Sequence, residues 1–142
     1  MKSSIRTDTF LPHPLQKVWR ALVDPGLLSR WLMPNDFQPR VGHRFTFRTD
    51  PVPGAGFNGV IQCEVLALDP PRLLSISWAT TGGIDTTVTW RLAPEGKGTR
   101  LFLVHQGFDD TDPQQQAAQR TLDSGWRSSM ARRLEDLLAA LE

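Results

Sequence analysis

Apolar and polar residues alternate with a period of two through the middle of this chain, and the spacing changes to threes and fours at its end. Period two marks half-buried strands and the longer spacing marks helices. Residues 4–10 alternate and are rich in Thr and Ile, which predicts a strand. Leu15, Val18, Trp19 and Leu22 then share one helical face, and Leu27, Leu28 and Trp31 form a second short apolar face. Five further strands are predicted. Residues 44–49 place Phe45 and Phe47 together, and residues 59–68 follow. Residues 72–79 align Leu74, Ile76 and Trp78. Residues 86–93 set Val88, Trp90 and Leu92 against Thr87, Thr89 and Arg91, and residues 99–106 align Leu101, Leu103 and His105.

The last thirty or so residues, 112–142, carry the strongest helical pattern. Leu122, Trp126, Met130, Leu134, Leu137, Leu138 and Leu141 make one stripe, and Arg120, Asp123, Arg127, Arg132, Glu135 and Asp136 lie opposite it. Asp112-Pro113 reads as an N-cap with proline at the first helical position, and Gln115 stands where a capping box wants Glu or Gln. Asp24-Pro25 repeats the cap-and-proline signal. Gly- and Pro-rich connections at 51–58, 69–71, 80–83 and 95–98 separate the strands. The expected class is therefore α+β: a curved antiparallel sheet of about six to seven strands, two short helices after the first strand, and one long C-terminal helix gripped by the sheet. The expectation is one domain over residues 1–142, with no repeat and no linker.

Composition narrows the function classes. A net charge of +1 without a basic block argues against nucleic acid and anionic membranes. No apolar run approaches the ~20 residues of a membrane helix. The first residues lack the apolar core of a signal peptide, and the lone Cys63 allows no internal disulfide; a cytoplasmic location is expected. Five Trp and seven Phe without any Tyr make an aromatic, weakly polar interior.

In this order and spacing, several segments resemble a known family. They are Pro14 to Leu22 with Asp24-Pro25 and Trp31; Arg40-Val41-Gly42 with Phe45 and Phe47; Gly59 with Glu64-Val65; Pro71 to Leu74 with Trp78; Gly98 to Leu101 with His105; and Gly125-Trp126 with the leucines after them. The chain resembles a START-like, helix-grip domain of the SRPBCC superfamily. Within it, the chain is most similar to the family named for the activator of the heat-shock chaperone ATPase. His43 stands where members often carry a second glycine. The resemblance implies a cavity between the concave sheet and the C-terminal helix.

Alternation places Phe45, Phe47, Trp78, Trp90 and His105 inward, and Trp31, Met33, Trp126 and Met130 join them from the helical parts. These nine are the candidate ligand-binding residues, each with plain core packing as the alternative. His105 is the candidate for one directional polar contact. His13, between two prolines, is expected to be exposed. The three histidines lack metal-ligand spacing, so no metal is expected, and no cofactor motif appears. No Gly-x-Ser-x-Gly elbow is present, and Cys63 alternates with Ile61 and Val65 as a buried apolar residue would. Three functions remain: binding of a small hydrophobic or amphipathic molecule, a protein-interaction module of the co-chaperone type, and a cyclase- or hydrolase-like enzyme. The enzyme would need a carboxylate such as Asp85 near His105. The first is favoured, with a chaperone or other protein as the alternative partner and a monomer or weak homodimer as the expected state.

Overall fold

The computed structural model describes residues 2–141; Met1 and Glu142, the last residue of the predicted helix, lie outside them. Ten main elements follow one another. They are β1 (Lys2–Leu11), α1 (Leu15–Val23), α2 (Pro25–Trp31), β2 (Arg44–Arg48), β3 (Val60–Asp69), β4 (Leu73–Ala79), β5 (Asp85–Glu95), β6 (Gly98–Asp109), α3 (Pro113–Arg127) and α4 (Ser129–Ala140). A single turn of 3-10 helix, Pro53–Ala55, interrupts the loop after β2. All six strands join one antiparallel sheet in the order β1-β6-β5-β4-β3-β2. The α+β helix-grip architecture read from the sequence is therefore the architecture found, with six strands.

Local chemistry explains most boundaries. Asp24 caps α2, accepting from the backbone N–H groups of Gly26 (2.9 Å) and Leu27 (3.2 Å), with Pro25 at the first helical position. Asp112 caps α3 through Gln114 N–H at 2.9 Å. Gln115 does not close a capping box. Its amide oxygen accepts from Asp109 N–H (2.7 Å) and its amide nitrogen donates to the Gly83 carbonyl (3.1 Å), so it ties α3 to the sheet instead.

The turn into β3 requires glycine. Gly59 has φ +87°, and a Cβ there would sit 2.4 Å from the Thr49 carbonyl oxygen. Gly59→Ala is expected to lose roughly 1–3 kcal/mol of unfolding free energy, since it combines an unfavourable φ with a backbone clash. Urea denaturation checks this; a variant as stable as the parent would mean that the turn readily adopts another path.

The core lies between one face of the sheet and the helices. α4 packs on α1 and α2, while α3 packs on β1 and β6. Inward positions alternate as predicted on β4 and β5, where Leu74, Ile76, Trp78, Thr86, Val88, Trp90 and Leu92 are all buried. On β6 the alternation changes phase. Leu101, Leu103 and His105 point in, Gly107 at φ +108° is an extra residue skipped in the pairing with β1, and Phe108 points in next. This bulge turns Phe108 into the core and extends β6 beyond the predicted end at residue 106.

The single long helix expected from the sequence is jointed. It breaks at Ser128, whose φ of −123° and ψ of −79° leave the helical region. The Ser128 hydroxyl donates to the Ser124 carbonyl at 2.6 Å, a local bond that bends helices. Beside the joint, Met130 folds back over Gly125, where a Cβ would lie 2.8 Å from the Met130 methyl. The glycine makes room for a side chain of its own helix pair and not for the sheet.

Candidate functional site

The inward residues of β2, β4, β5 and β6 build a continuous aromatic wall. Phe37 meets Phe45 edge-on at 5.1 Å between ring centres, Phe45 meets Phe47 at 5.4 Å, and Phe47 meets Trp78 at 5.6 Å. Trp78 then contacts His105 at 5.2 Å and Trp126 at 5.8 Å; Trp126 contacts Trp90 at 5.9 Å. His105 also packs on Phe108 at 4.7 Å. Such pairs contribute about 0.5–1.5 kcal/mol each beyond area burial, so the row is a rigid surface.

One polar chain crosses this apolar interior. The Trp126 indole N–H donates to His105 Nδ1 at 3.1 Å. A nitrogen that accepts carries no proton, so the proton of the neutral ring sits on Nε2. Nε2 lies 2.8 Å from Thr86 Oγ1 and donates to it, while the Thr86 hydroxyl donates to the Trp78 carbonyl at 2.8 Å. Every link is thereby oriented. His105 is fully buried, and desolvation pushes its pKa down from 6.5 to about 3, so the ring is neutral at physiological pH.

The structure brings together six of the nine candidates, Phe45, Phe47, Trp78, Trp90, His105 and Trp126, as this wall and its cap. Met130 is buried next to them on α4, against Gly125. Trp31 and Met33 lie apart. Trp31 is buried with its indole N–H tied to the Ala21 carbonyl at 2.9 Å, and Met33 is half-buried at the edge of the core. The sequence reading missed Phe37, Phe108 and Thr86. Thr86 was legible, because it continues the inward series of Val88, Trp90 and Leu92. Asp85, the carboxylate considered for an enzyme, is exposed at the start of β5. His13 is half-buried, against the expectation of exposure, and its Nδ1 lies 3.2 Å from the Lys17 ammonium. Cys63 is buried and its thiol pKa is pushed far up by desolvation, which leaves it without nucleophilic character. Among the described residues, the buried polar side chains are Thr86, Thr99 and His105, and no three metal-ligating side chains converge.

The interior is filled and not open. A cleft between β1, β6 and α4, bounded by Thr7, Leu101, Leu103, Trp126 and Leu134, reaches it and holds about 30 Å³. That is far below the ~300–1,000 Å³ of typical ligand pockets. A larger recess of about 210 Å³ lies outside, on α2 and α4, where Arg30, Arg133, Asp136 and Leu137 line it. It is open to solvent and has no aromatic wall. What closes the interior is Trp126, the one buried side chain of α3. The rest of α3 is held largely by amides: Gln114 donates to the Ala55 carbonyl (2.7 Å), Gln116 to the Asp109 carbonyl (3.1 Å), and Gln119 accepts from the Ser3 hydroxyl (2.7 Å). Ala118 and Leu122 add partial apolar contact. α4, by contrast, buries Met130, Leu134, Leu137 and Leu138.

Solved structures share this architecture. Protein MLL2253 from Mesorhizobium loti is 35% identical, with a TM-score of 0.87 and 99% of each chain covered. Protein BH1534 from Bacillus halodurans is 26% identical, with a TM-score of 0.78 and 96% of each chain covered. CalU16 from Micromonospora echinospora, at 24% identity and a TM-score of 0.74 over 99% of this chain and 86% of its own, shares the fold. No curated protein matches the chain. No helix among the described residues is long and apolar enough to cross a membrane. The sequence profile described as Activator of Hsp90 ATPase homolog 1-like protein matches residues 12–139, nearly the whole chain, and this protein belongs to that family.

Proposed function

We propose that this domain binds a small hydrophobic or amphipathic molecule between the sheet and the C-terminal helices, and that the ligand takes the place of the Trp126 ring. The observation that carries the reading is the oriented His105–Thr86 chain, buried in an aromatic wall and capped by one ring on a jointed helix. Swinging α3 about Ser128 unseats the Trp126 ring, which the ligand must replace, and otherwise breaks mainly amide hydrogen bonds that water replaces, each with a net value of only about 1 kcal/mol. It leaves α4 and its four buried side chains in place. The surface that Trp126 covers is Trp78, Trp90 and His105, with His105 Nδ1 as its polar point. Met130 sits on Gly125 beside Trp126, whereas Trp31 and Met33 lie apart from this surface.

A thermal-shift screen against fatty acids, sterols, flavonoids and polyketide-like aromatics, with native mass spectrometry of the purified protein, tests this. A ligand at a hundredfold excess over its Kd should raise Tm by about 8 °C. It should also change the emission of the buried tryptophans. An apo mass with no shift in any class overturns the reading and directs attention to a protein partner.

A further inference from the structure

We infer that the ligand of this site presents a neutral hydrogen-bond donor, an alcohol or phenol hydroxyl, to His105 Nδ1, and that anions and ethers of the same shape are rejected. The inference rests on the binding reading above and deepens it. The geometry leaves His105 one tautomer. Its Nε2 faces Thr86 Oγ1 at 2.8 Å, and the only hydrogen on that oxygen is directed to the Trp78 carbonyl at 2.8 Å. Thr86 can therefore accept from His105 but cannot also donate to it. Moving the ring proton to Nδ1 would leave Nε2 and Oγ1 lone pair against lone pair, or would take the hydrogen from the Trp78 carbonyl. Trp78, Trp126 and Phe108 enclose the ring, and among the described residues Thr86 is the buried polar side chain that touches it besides Trp126.

Nδ1 thus offers a lone pair, which the resting protein satisfies with an indole N–H. A ligand that displaces Trp126 must replace that donor or strand a buried acceptor. A hydroxyl does so. An ether or ketone brings a second acceptor, and a carboxylate brings charge into an interior that has no cation among the described buried residues. Desolvation also resists protonation of the imidazole, so the ring cannot become the cation that a carboxylate would need.

The test measures binding of naphthol, methoxynaphthalene and naphthoate to the full chain by calorimetry at neutral pH. The three share one ring system and differ in donor, acceptor and charge. Naphthol should bind at least about tenfold more tightly than either analogue, the consequence of one unsatisfied buried acceptor. In Thr86→Val, which removes the group that fixes the tautomer, the naphthol preference over methoxynaphthalene should shrink. Equal or tighter binding of methoxynaphthalene or naphthoate overturns the donor rule and leaves cavity binding standing. Failure of naphthol to bind overturns the inference, and the ligand screen above decides separately whether cavity binding stands. Nitrogen NMR shifts of His105 give an independent reading that needs no ligand: a proton on Nε2 is expected, and a proton on Nδ1 sinks the inference.

Discussion

Trp126→Ala is expected to lower the unfolding free energy by about 3–5 kcal/mol, the range for removing a large buried aromatic. The ring is 5% exposed and lies within 6 Å of the centres of both Trp78 and Trp90, so its removal takes away contacts with two rigid neighbours at once. It also strips His105 Nδ1 of its only donor. The two contributions separate in Trp126→Phe, which keeps most of the ring and loses the N–H; that variant should lose only ~1–3 kcal/mol, the cost of an orphaned buried acceptor. Urea denaturation of both variants measures this. A Trp126→Ala protein within about 1 kcal/mol of the parent would mean the ring is not wedged between helix and sheet.

Acid should destabilise the fold through His105. Its pKa is about 3 in the folded protein and 6.5 as a free side chain. Between those values the unfolded chain binds a proton that the folded chain does not, so stability rises with pH. The contribution is complete above pH 6.5 and is lost as pH falls toward 3, a loss on the order of 5 kcal/mol. Other groups titrate nearby: His13, lowered by burial and by Lys17, and Asp109, whose carboxyl is held down by the Thr111 hydroxyl and N–H. Both remain in His105→Gln. The informative quantity is therefore the difference in slope between parent and variant, from denaturant midpoints at a series of pH values. The variant should lack most of the loss between pH 6.5 and 4. Parallel curves would show that His105 is not buried as a neutral ring.

Much of this architecture was legible because it depends on local pattern. The period-two series Leu74-Ile76-Trp78 and Val88-Trp90-Leu92 placed those side chains on one face, and the found register confirms the face. Asp24-Pro25 and Asp112-Pro113 set two helix starts through caps made within three residues. Phe108 escaped because alternation forecasts Gly107 as the next inward residue after His105; only pairing with β1, which skips Gly107, restores the phase. The joint at Ser128 escaped for a similar reason. An apolar stripe continues across it, so periodicity reads one helix, while the Ser128–Ser124 bond and the seat of Met130 on Gly125 depend on how the two segments dock.

The sequence by itself determined the strand order, the starts of α2 and α3 and the inward residues of β4 and β5, since these follow from spacing along the chain, and its segments carried the resemblance to the family. Tertiary structure alone decided that the interior is filled by Trp126, and that Trp31 and Met33 stand apart from the wall. It also decided that His105 is an acceptor at one nitrogen and a donor at the other. The physical reason is that hydrogen-bond direction at a buried imidazole is set by its two neighbours, Trp126 and Thr86, which approach from positions 21 and 19 residues away on different elements.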